Sequence, residues 1–168
     1  MVITLRKIGK TIDGIFVAVA LIFLTIIVVA SSLQVFTRYV LQAAMTGTEE
    51  LARYCFIWMS MLGGSVAVGR WAHPVVNVLT DRLNSAWNKY LHVFLNLLII
   101  SFCLIFIFYG SQIVATTTRQ LSSTLHIPMS YVYLSIPLGG VGMIFNATLN
   151  ILNILCPDTS PGSEVETK

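Results

Sequence analysis

The sequence predicts an all-α integral membrane protein with four transmembrane helices and an amphipathic interfacial helix between the second and the third. Three observations support this fold class. Of the 168 residues, 56% are apolar and only 10% are charged, whereas a soluble domain has roughly 25% charged residues. The mean hydropathy is +0.82. The chain also contains four runs without any charged residue, at 14–37, 54–69, 90–118 and 127–157.

Each uncharged run predicts one membrane crossing, since about 20 helical residues cross the hydrocarbon core. The predicted spans are about 14–37, 51–70, 91–117 and 128–155. The second run is the shortest, but Arg53 and Arg70 near its ends can extend their charged groups toward opposite interfaces. A cleaved signal peptide is the alternative for the N-terminus. The first run exceeds the usual 7 to 15 apolar residues of such a peptide, which favours a retained helix.

Basic residues predict that both termini are cytoplasmic, because Lys and Arg accumulate on that side of a membrane. In this orientation seven of the ten basic residues are cytoplasmic and three are not. The cytoplasmic set is Arg6, Lys7, Lys10, Arg70, Arg82, Lys89 and Lys168, and the other set is Arg38, Arg53 and Arg119. The net charge of +3 therefore reflects topology and contact with phospholipid headgroups, and no pattern indicates nucleic-acid binding.

The chain is predicted to form one membrane domain, residues 1–157, followed by a disordered cytoplasmic tail, residues 158–168. An amphipathic helix is predicted at about 74–90, where apolar residues recur every three or four positions. Its interfacial anchors are Leu79, Leu83 and Trp87. The alternative is a loop helix packed on its own bundle.

In the fourth span, Pro128 is expected in the first helical turn and Pro137 is expected to cause a kink.

Glu49 and Glu50 stand together at the start of the second span, in a chain with few acids. Thr46 and Glu49 have the spacing of a capping box, and Arg53 lies one turn after both acids. One interpretation is that the three charges only cap and neutralise the end of this helix. The other is that one carboxylate caps while the second is presented to a partner chain or an ion.

Small and amide-bearing residues form faces on the second and fourth spans, which permits close helix approach. On the second span they include Ser60, Gly63, Gly64, Ser65 and Ala67. On the fourth they are Ser135, Gly139, Gly142, Asn146, Asn150 and Asn153. These faces pack either within the bundle or against another membrane protein. The cysteines, Cys55, Cys103 and Cys156, lack metal or disulfide spacing and are interpreted as small packing residues.

Two other classes of function compete with a scaffold protein. A haem-binding subunit would need two histidines at similar depth, but His92 and His126 are expected on opposite sides of the membrane. A self-sufficient, homo-oligomeric transporter or antiporter would need an acid within the membrane. Apart from the Glu49–Glu50 pair, none is expected within a span, which argues against that class. No catalytic, cofactor-binding or metal site is predicted in this chain.

Two groups of residues resemble the small membrane (Q) subunit of tripartite ATP-independent periplasmic (TRAP) transporters, and the similarity runs from about residue 5 to 155. The first group is Glu49-Glu50-x-x-Arg53, Trp58, Leu62-Gly63 and Arg70-x-x-His73-x-x-Val76. The second is Gln120-x-Ser122-x-x-Leu125-x-Ile127-Pro128-x-x-Tyr131-x-Tyr133-x-x-x-Pro137-x-Gly139. Gly47 and Asn77 depart from the family pattern, which often has an aromatic residue and an Asp at those positions.

The resemblance implies a non-catalytic subunit in the bacterial inner membrane. Its expected partners are a large M membrane subunit and a periplasmic substrate-binding protein. In such systems the M subunit imports an organic anion, a sialic acid or a C4-dicarboxylate, by a sodium-driven elevator motion. The Q subunit braces the fixed scaffold of the M subunit, and the sodium ions are expected in the partner. Glu49, Glu50 and Arg53 are then expected to form a fixed polar cluster at the periplasmic end of span two.

Overall fold

The computed structural model describes residues 2–42, 46–70 and 85–155, and their side chains apart from those of residues 2–6, 85–89 and 155. Within these ranges the chain forms five helices: α1 (Val2–Tyr39), α2 (Thr46–Gly69), α3 (Ser85–Thr116), α4 (Met129–Tyr133) and α5 (Ser135–Leu155). Four segments are long and apolar enough to cross a membrane, Lys7–Tyr39, Thr46–Gly69, Tyr90–Thr116 and Met129–Ile154. The all-α, four-crossing prediction is confirmed.

Most of the predicted interfacial helix lies outside the described residues, including Leu79 and Leu83. His73, Cys156 and the tail at 158–168 also lie outside them. The structure begins α3 at Ser85 and continues it without a break into the third span. Residues 85–90, assigned above to the interfacial helix, therefore share one helix with that span. Trp87 lies on this backbone.

The central pair of helices is α2 and α5, which pack against each other, while α1 packs mainly on α2 and α3 packs mainly on α5. Buried residues concentrate on the central pair, for example Leu62 and Ser65 of α2 and Ala147 of α5. The outward faces of α1 and α3 instead expose Ile, Val, Leu and Phe side chains. Those apolar faces are the surfaces available to lipid or to another membrane protein.

The fourth span is interrupted at Leu134, between α4 and α5. Pro137 follows within one turn. It has no N–H to donate to the carbonyl of Tyr133, and its ring crowds that carbonyl, which accounts for a helix break at this place. Pro128 is the residue just before α4, with φ −57° and ψ 125°, so it caps the helix and is not in its first turn as predicted. Its extended ψ matches the preceding hairpin-like connection.

Cys55 and Cys103 are buried free thiols, as the packing interpretation predicts. Cys103 lies in the interface between α3 and α5, where its Sγ is 3.7 Å from Sδ of Met143. Soft sulfur groups fill irregular space between helices well. For these two residues the structure therefore confirms a packing role.

Gly139 of α5 packs against the backbone of α2, whereas Gly63 of α2 has no close neighbour in the described part of the chain. A Cβ added at Gly139 would lie 2.8 Å from Met61 Cβ and 3.2 Å from the Met61 carbonyl oxygen. Gly64 approaches only the flexible end of Met143, and nothing lies within 4 Å of a Cβ at Gly63. Gly63 therefore does not pack closely within the described part of the bundle, and its packing against another membrane protein stays a prediction.

This difference gives a matched pair of substitutions. Gly139→Ala is expected to lower the free energy of unfolding by about 1–3 kcal/mol, because backbone atoms of α2 must move to admit the methyl group. Gly63→Ala is expected to be neutral or to stabilise by up to about 1 kcal/mol, since alanine has the higher helix propensity. Thermal unfolding of both variants in the same detergent measures the effect. Equal midpoints would contradict the close packing of α5 on α2.

Candidate functional site

The candidate site at one end of the bundle is built around Glu50, in the first turns of α2. Its carboxylate accepts three successive backbone N–H groups of the connection between α3 and α4. The N–H of Ser123 lies 3.2 Å from Oε1, and those of Thr124 and Leu125 each lie 3.0 Å from Oε2. Successive amides converging on one anion form a nest. Glu50 thus fills an anion site made by its own chain.

The connection that forms the nest is a short hairpin-like loop. Its base is closed by two backbone hydrogen bonds, Met129 N–H to the Gln120 carbonyl at 2.8 Å and Ser122 N–H to the Ile127 carbonyl at 3.0 Å. His126 has a positive φ of 55°, a conformation that turns the chain back toward its start. These contacts bring the start and the end of the loop together beside the three N–H groups that Glu50 accepts.

Tyr54 completes the Glu50 contacts from the next turn of α2. Its hydroxyl donates to Glu50 Oε1 at 2.6 Å and also lies 3.3 Å from Sδ of Met129, the first residue of α4. The short oxygen–oxygen distance is typical of a hydroxyl donating to a carboxylate. The Tyr54 hydroxyl thus contacts both Glu50 and the first residue of α4. Glu50 and Tyr54 together join α2 to the loop and to α4.

Glu49 points to a different set of partners. Its Oε1 accepts from Arg53 Nη2 at 3.0 Å, and its Oε2 lies 3.5 Å from Gln34 Nε2 of α1. The predicted one-turn ion pair is therefore present. The capping-box prediction is wrong: α2 already begins at Thr46, whereas a capping residue precedes the first helical residue, and the Glu49 carboxylate is directed to Arg53 and Gln34.

These contacts change the interpretation of the acid pair. Neither alternative from the sequence, a helix cap alone or a carboxylate presented to a partner, anticipated that Glu50 would bind a distant loop of its own chain. Glu49 and Arg53 are both more than half exposed, at 56% and 65% of their side chains. An exposed pair of this kind contributes at most about 1 kcal/mol to stability. Because Glu49 and Arg53 are exposed, they are the part of the cluster that is available for contact with another protein.

A second polar cluster lies at the opposite end of the bundle and joins three helices. Asn146 Nδ2 of α5 donates to Asp13 Oδ1 of α1 at 2.8 Å and to the Ser65 carbonyl of α2 at 2.9 Å. One turn later, Asn150 Nδ2 donates to the Val68 carbonyl at 2.8 Å. The Val68 carbonyl is among the last four of α2, which have no N–H partner within the helix. Asn150 of α5 therefore caps the end of α2, while Asn146 joins α1, α2 and α5.

Asp13 is the functional candidate that the sequence analysis missed. The statement that no further acid lies within a span is wrong, because the first membrane-crossing segment begins at Lys7 and includes Asp13. The available signal was an acid directly before the first apolar run, together with asparagines in the fourth span. Each polar side chain in a membrane helix needs a partner, and these two groups supply one another.

The other predicted site residues are spread along the bundle. Trp58 packs on Phe23 of α1, with ring centroids 6.0 Å apart. Arg70 is exposed just after α2, and its N–H bonds to the Val66 carbonyl. Tyr131 of α4 is 63% exposed beside the Glu50 loop. His92 and His126 lie at opposite ends of the third helix, one near its start and one in the loop beyond its end. Within residues 2–42, 46–70 and 85–155, the haem interpretation therefore finds no pair of histidines at similar depth.

The comparisons with known proteins agree with this architecture. Residues 24–156 match the family described as "Tripartite ATP-independent periplasmic transporters, DctQ component". The chain is 26% identical over 151 residues to the sialic acid TRAP transporter small permease protein SiaQ of Vibrio cholerae, covering 90% of this chain and 87% of that protein. It is 25% identical over 140 residues to a putative TRAP transporter small permease protein of Haemophilus influenzae, covering 83% and 84% of the two chains.

A longer relative matches about two thirds of the chain. The sialic acid TRAP transporter permease protein SiaT of Haemophilus influenzae is 26% identical over 112 residues, which are 67% of this chain but only 18% of that protein. The matched segment is therefore a small part of a much larger permease in that relative. Together with the family match over most of the chain, these findings show that the protein is a multi-pass membrane protein that belongs to the DctQ component family of TRAP transporters, as a small permease subunit.

Proposed function

We propose that this chain is the non-catalytic small membrane subunit of a sodium-driven TRAP transporter that imports an organic anion. The observation that carries the proposal is the match over nearly the whole length of a small permease protein named for sialic acid transport. We therefore propose a sialic acid as the substrate class, with a C4-dicarboxylate as the competing class. The chain would lie in the bacterial inner membrane with both termini in the cytoplasm, as its basic residues favour.

Its proposed partners are a large M membrane subunit and a periplasmic substrate-binding protein. The relative SiaT supports the first, since a segment like this chain makes up only 18% of that permease. The remaining length of such a chain is a natural place for a transport pathway. We propose that the sodium ions and the substrate bind in the large subunit, and that this chain needs no cofactor. The oxygens of Glu49 and Glu50 already accept from donors of their own chain.

The mechanical role we propose is to brace the fixed scaffold of an elevator-type large subunit. The support is that polar contacts link the central helices at both ends, Glu50 to the α3–α4 loop at one end and Asn146 to Asp13 and Ser65 at the other. Such contacts oppose sliding of one helix past another. A subunit that resists internal motion is suited to hold a static surface while a neighbouring domain moves across the membrane.

The outward face of α1 is the better candidate for contact with the large subunit. Bulky side chains recur on it every seven residues, and small residues lie between them, which permits close approach of another helix. The bulky set is Ile8, Ile15, Ile22, Val29 and Phe36, and the small set is Thr11, Ala18, Thr25 and Ser32, all exposed. The outward face of α3 is bulky at Phe94, Leu98, Phe102, Ile105 and Phe108, which suits lipid chains.

Purification from native membranes in a mild detergent tests the proposal. We expect the tagged chain to retain one much larger polytopic protein in equal ratio, identified by its mass. Removing the small subunit from cells is expected to abolish sodium-dependent uptake of labelled sialic acid. Ala18→Cys in α1 is expected to cross-link to the large subunit, and Leu104→Cys in α3 serves as the matched control.

Recovery of this chain alone, as a stable homo-oligomer, would contradict the proposal and favour the self-sufficient transporter or antiporter. Asp13, Glu49 and Glu50 would then be the acids to test as coupling groups. Uptake of a C4-dicarboxylate in place of sialic acid would leave the subunit assignment intact and correct only the substrate class. Cross-linking from α3 in place of α1 would reassign the docking face.

A further inference from the structure

A cavity of about 160 Å³ lies where α2 ends, between α1 and α5, and nothing in the proposed function uses it. Its walls come from three helices and combine charged, amide and apolar groups. The lining residues are Gly9, Lys10, Asp13, Gly69, Asn146, Leu149, Asn150 and Asn153. A cavity of this volume has room for several water molecules or for one compact polar group.

The two charged residues of the cavity do not neutralise each other. Lys10 and Asp13 are three residues apart on α1 and line the same space. They form no ion pair with each other: among residues 7–42, 46–70 and 90–154, the ion pair is Arg53–Glu49. Asp13 Oδ1 is bound by Asn146. Its Oδ2 faces Gly69, where an added Cβ would lie 2.9 Å away. Gly69 therefore leaves the space that the carboxylate occupies.

The Asp13 side of the cavity favours a cationic group. The carbonyl end of α2 carries partial negative charge, which adds to the charge of the carboxylate. Asn146 and Asn150 use their NH₂ groups on carbonyls of α2, so each amide retains its oxygen as an acceptor. The opposite assignment would set oxygen against oxygen. A carboxylate, amide oxygens and a helix C-terminus together attract a hydrogen-bonding cation such as an ammonium.

The Lys10 side favours an anion, and the two charged side chains begin about one helical turn apart, roughly 5–6 Å between Cβ atoms. A ligand with an ammonium and a phosphate joined by a two-carbon bridge matches that spacing and sign. The headgroup of an ethanolamine phospholipid is such a ligand. It is also abundant where this cavity lies, at the end of helices that cross the membrane, and Leu149 gives the cavity an apolar wall continuous with the surface of α5.

We propose that this cavity binds the phosphoethanolamine headgroup of a membrane phospholipid, with the ammonium against Asp13 and the phosphate against Lys10. The bound headgroup joins α1, α2 and α5 at the end of the bundle that Glu50 does not hold. This inference does not depend on the transported substrate or on the large subunit. It concerns a site made entirely by this chain.

Native mass spectrometry of the protein, purified with whatever chains accompany it and then delipidated, tests the site. We expect one phosphatidylethanolamine to be retained at least about tenfold more tightly than phosphatidylglycerol with the same acyl chains. Lys10→Gln and Asp13→Asn are each expected to reduce that retention about tenfold, and Lys10→Arg is expected to restore it. Lys7→Gln, an exposed lysine one turn earlier that does not line the cavity, is the matched control.

Asp13 also holds Asn146, so Asp13→Asn can weaken the fold itself. Lys10 is exposed and makes no such contact in the described part of the chain, and its variants therefore test binding in a folded protein. Equal retention of the two lipids, or unchanged retention in Lys10→Gln, would overturn the proposal. Competition by soluble phosphoethanolamine at the same concentration as the lipid would overturn the membrane source and assign the site to a soluble ligand.

Discussion

Glu50→Ala is expected to release the connection between α3 and α4 while leaving the helices intact. The substitution removes the acceptor of three backbone N–H groups, at Ser123, Thr124 and Leu125. A backbone N–H must break its hydrogen bond before its hydrogen can exchange with solvent. Without the charged acceptor, a smaller local opening of the loop is sufficient. We expect exchange at these three amides to accelerate by roughly tenfold or more. Hydrogen–deuterium exchange of peptides covering residues 119–128 measures the change.

Glu49→Ala is the matched control, because Glu49 is the adjacent acid but its partners are the side chains of Arg53 and Gln34. It should leave exchange in the loop at the wild-type rate. Tyr54→Phe removes only the hydroxyl donor to Glu50 and should produce an intermediate acceleration. If Glu50→Ala and Glu49→Ala gave the same exchange rates in the loop, the carboxylate of Glu50 would not be what holds it.

The loop also connects the Glu50 contacts to transport. Arg53 and Tyr131 lie exposed around it, so a loosened loop changes the surface that another protein would meet at this end of the bundle. In the proposed transporter, Glu50→Ala is expected to weaken recovery of the large subunit or the binding protein. Full assembly and uptake with Glu50→Ala would separate the loop's structural role from any role in the complex.

Asn146→Leu is the second substitution with a large expected effect. Leucine has a similar size but leaves the Asp13 carboxylate and the Ser65 carbonyl without their donor. Buried hydrogen bonds to a charged group contribute about 1.5–3 kcal/mol in soluble proteins and average about 0.6 kcal/mol between membrane helices. Asn146 donates one bond to a carboxylate and one to a carbonyl of a neighbouring helix. We therefore expect the free energy of unfolding to fall by about 2 kcal/mol. Unfolding in mixed micelles measures the loss as a shift of the denaturant midpoint.

Asn150→Leu is the matched control for the bond to Asp13. Asn150 is one turn later on α5 and is equally buried, with 4% exposure against 3% for Asn146. Among the described residues, its amide bonds only to the Val68 carbonyl. Its loss should be smaller, about 1 kcal/mol. A double-mutant cycle of Asn146→Leu with Asp13→Ala isolates the pairwise term. A coupling energy near zero would show that the Asp13–Asn146 bond does not stabilise the bundle.

Much of the fold follows from short-range features that a sequence displays directly. Apolar runs gave four crossings whose predicted limits agree with the structure to within a few residues at most ends. The exception is the start of α1, where Lys7, Lys10 and Asp13 extend the helix beyond its uncharged run. Charged residues in the turns at either end of a membrane helix reach the interface. The length of an uncharged run is therefore a lower limit on the length of the helix.

The site was accessible from the sequence only in part. The one-turn spacing of Glu49 and Arg53 predicted their ion pair, because residues four apart on a helix are neighbours whatever the rest of the chain does. The acceptor role of Glu50 involves residues 73 to 75 positions away, and the Asn146–Asp13 bond spans 133 positions. No local pattern pairs such residues.

The sequence by itself determined that this chain crosses the membrane four times, where the helices lie, and which residues are polar enough to need a partner. Tertiary structure alone decided which groups are those partners: the loop N–H groups for Glu50, and Asp13 and a carbonyl of α2 for Asn146. It also decided that Gly63 has no close neighbour in the described bundle. The physical reason is that burial and helix formation depend on composition and on neighbours within a few residues. Hydrogen-bond pairing and close approach depend on how helices distant in the chain are brought together.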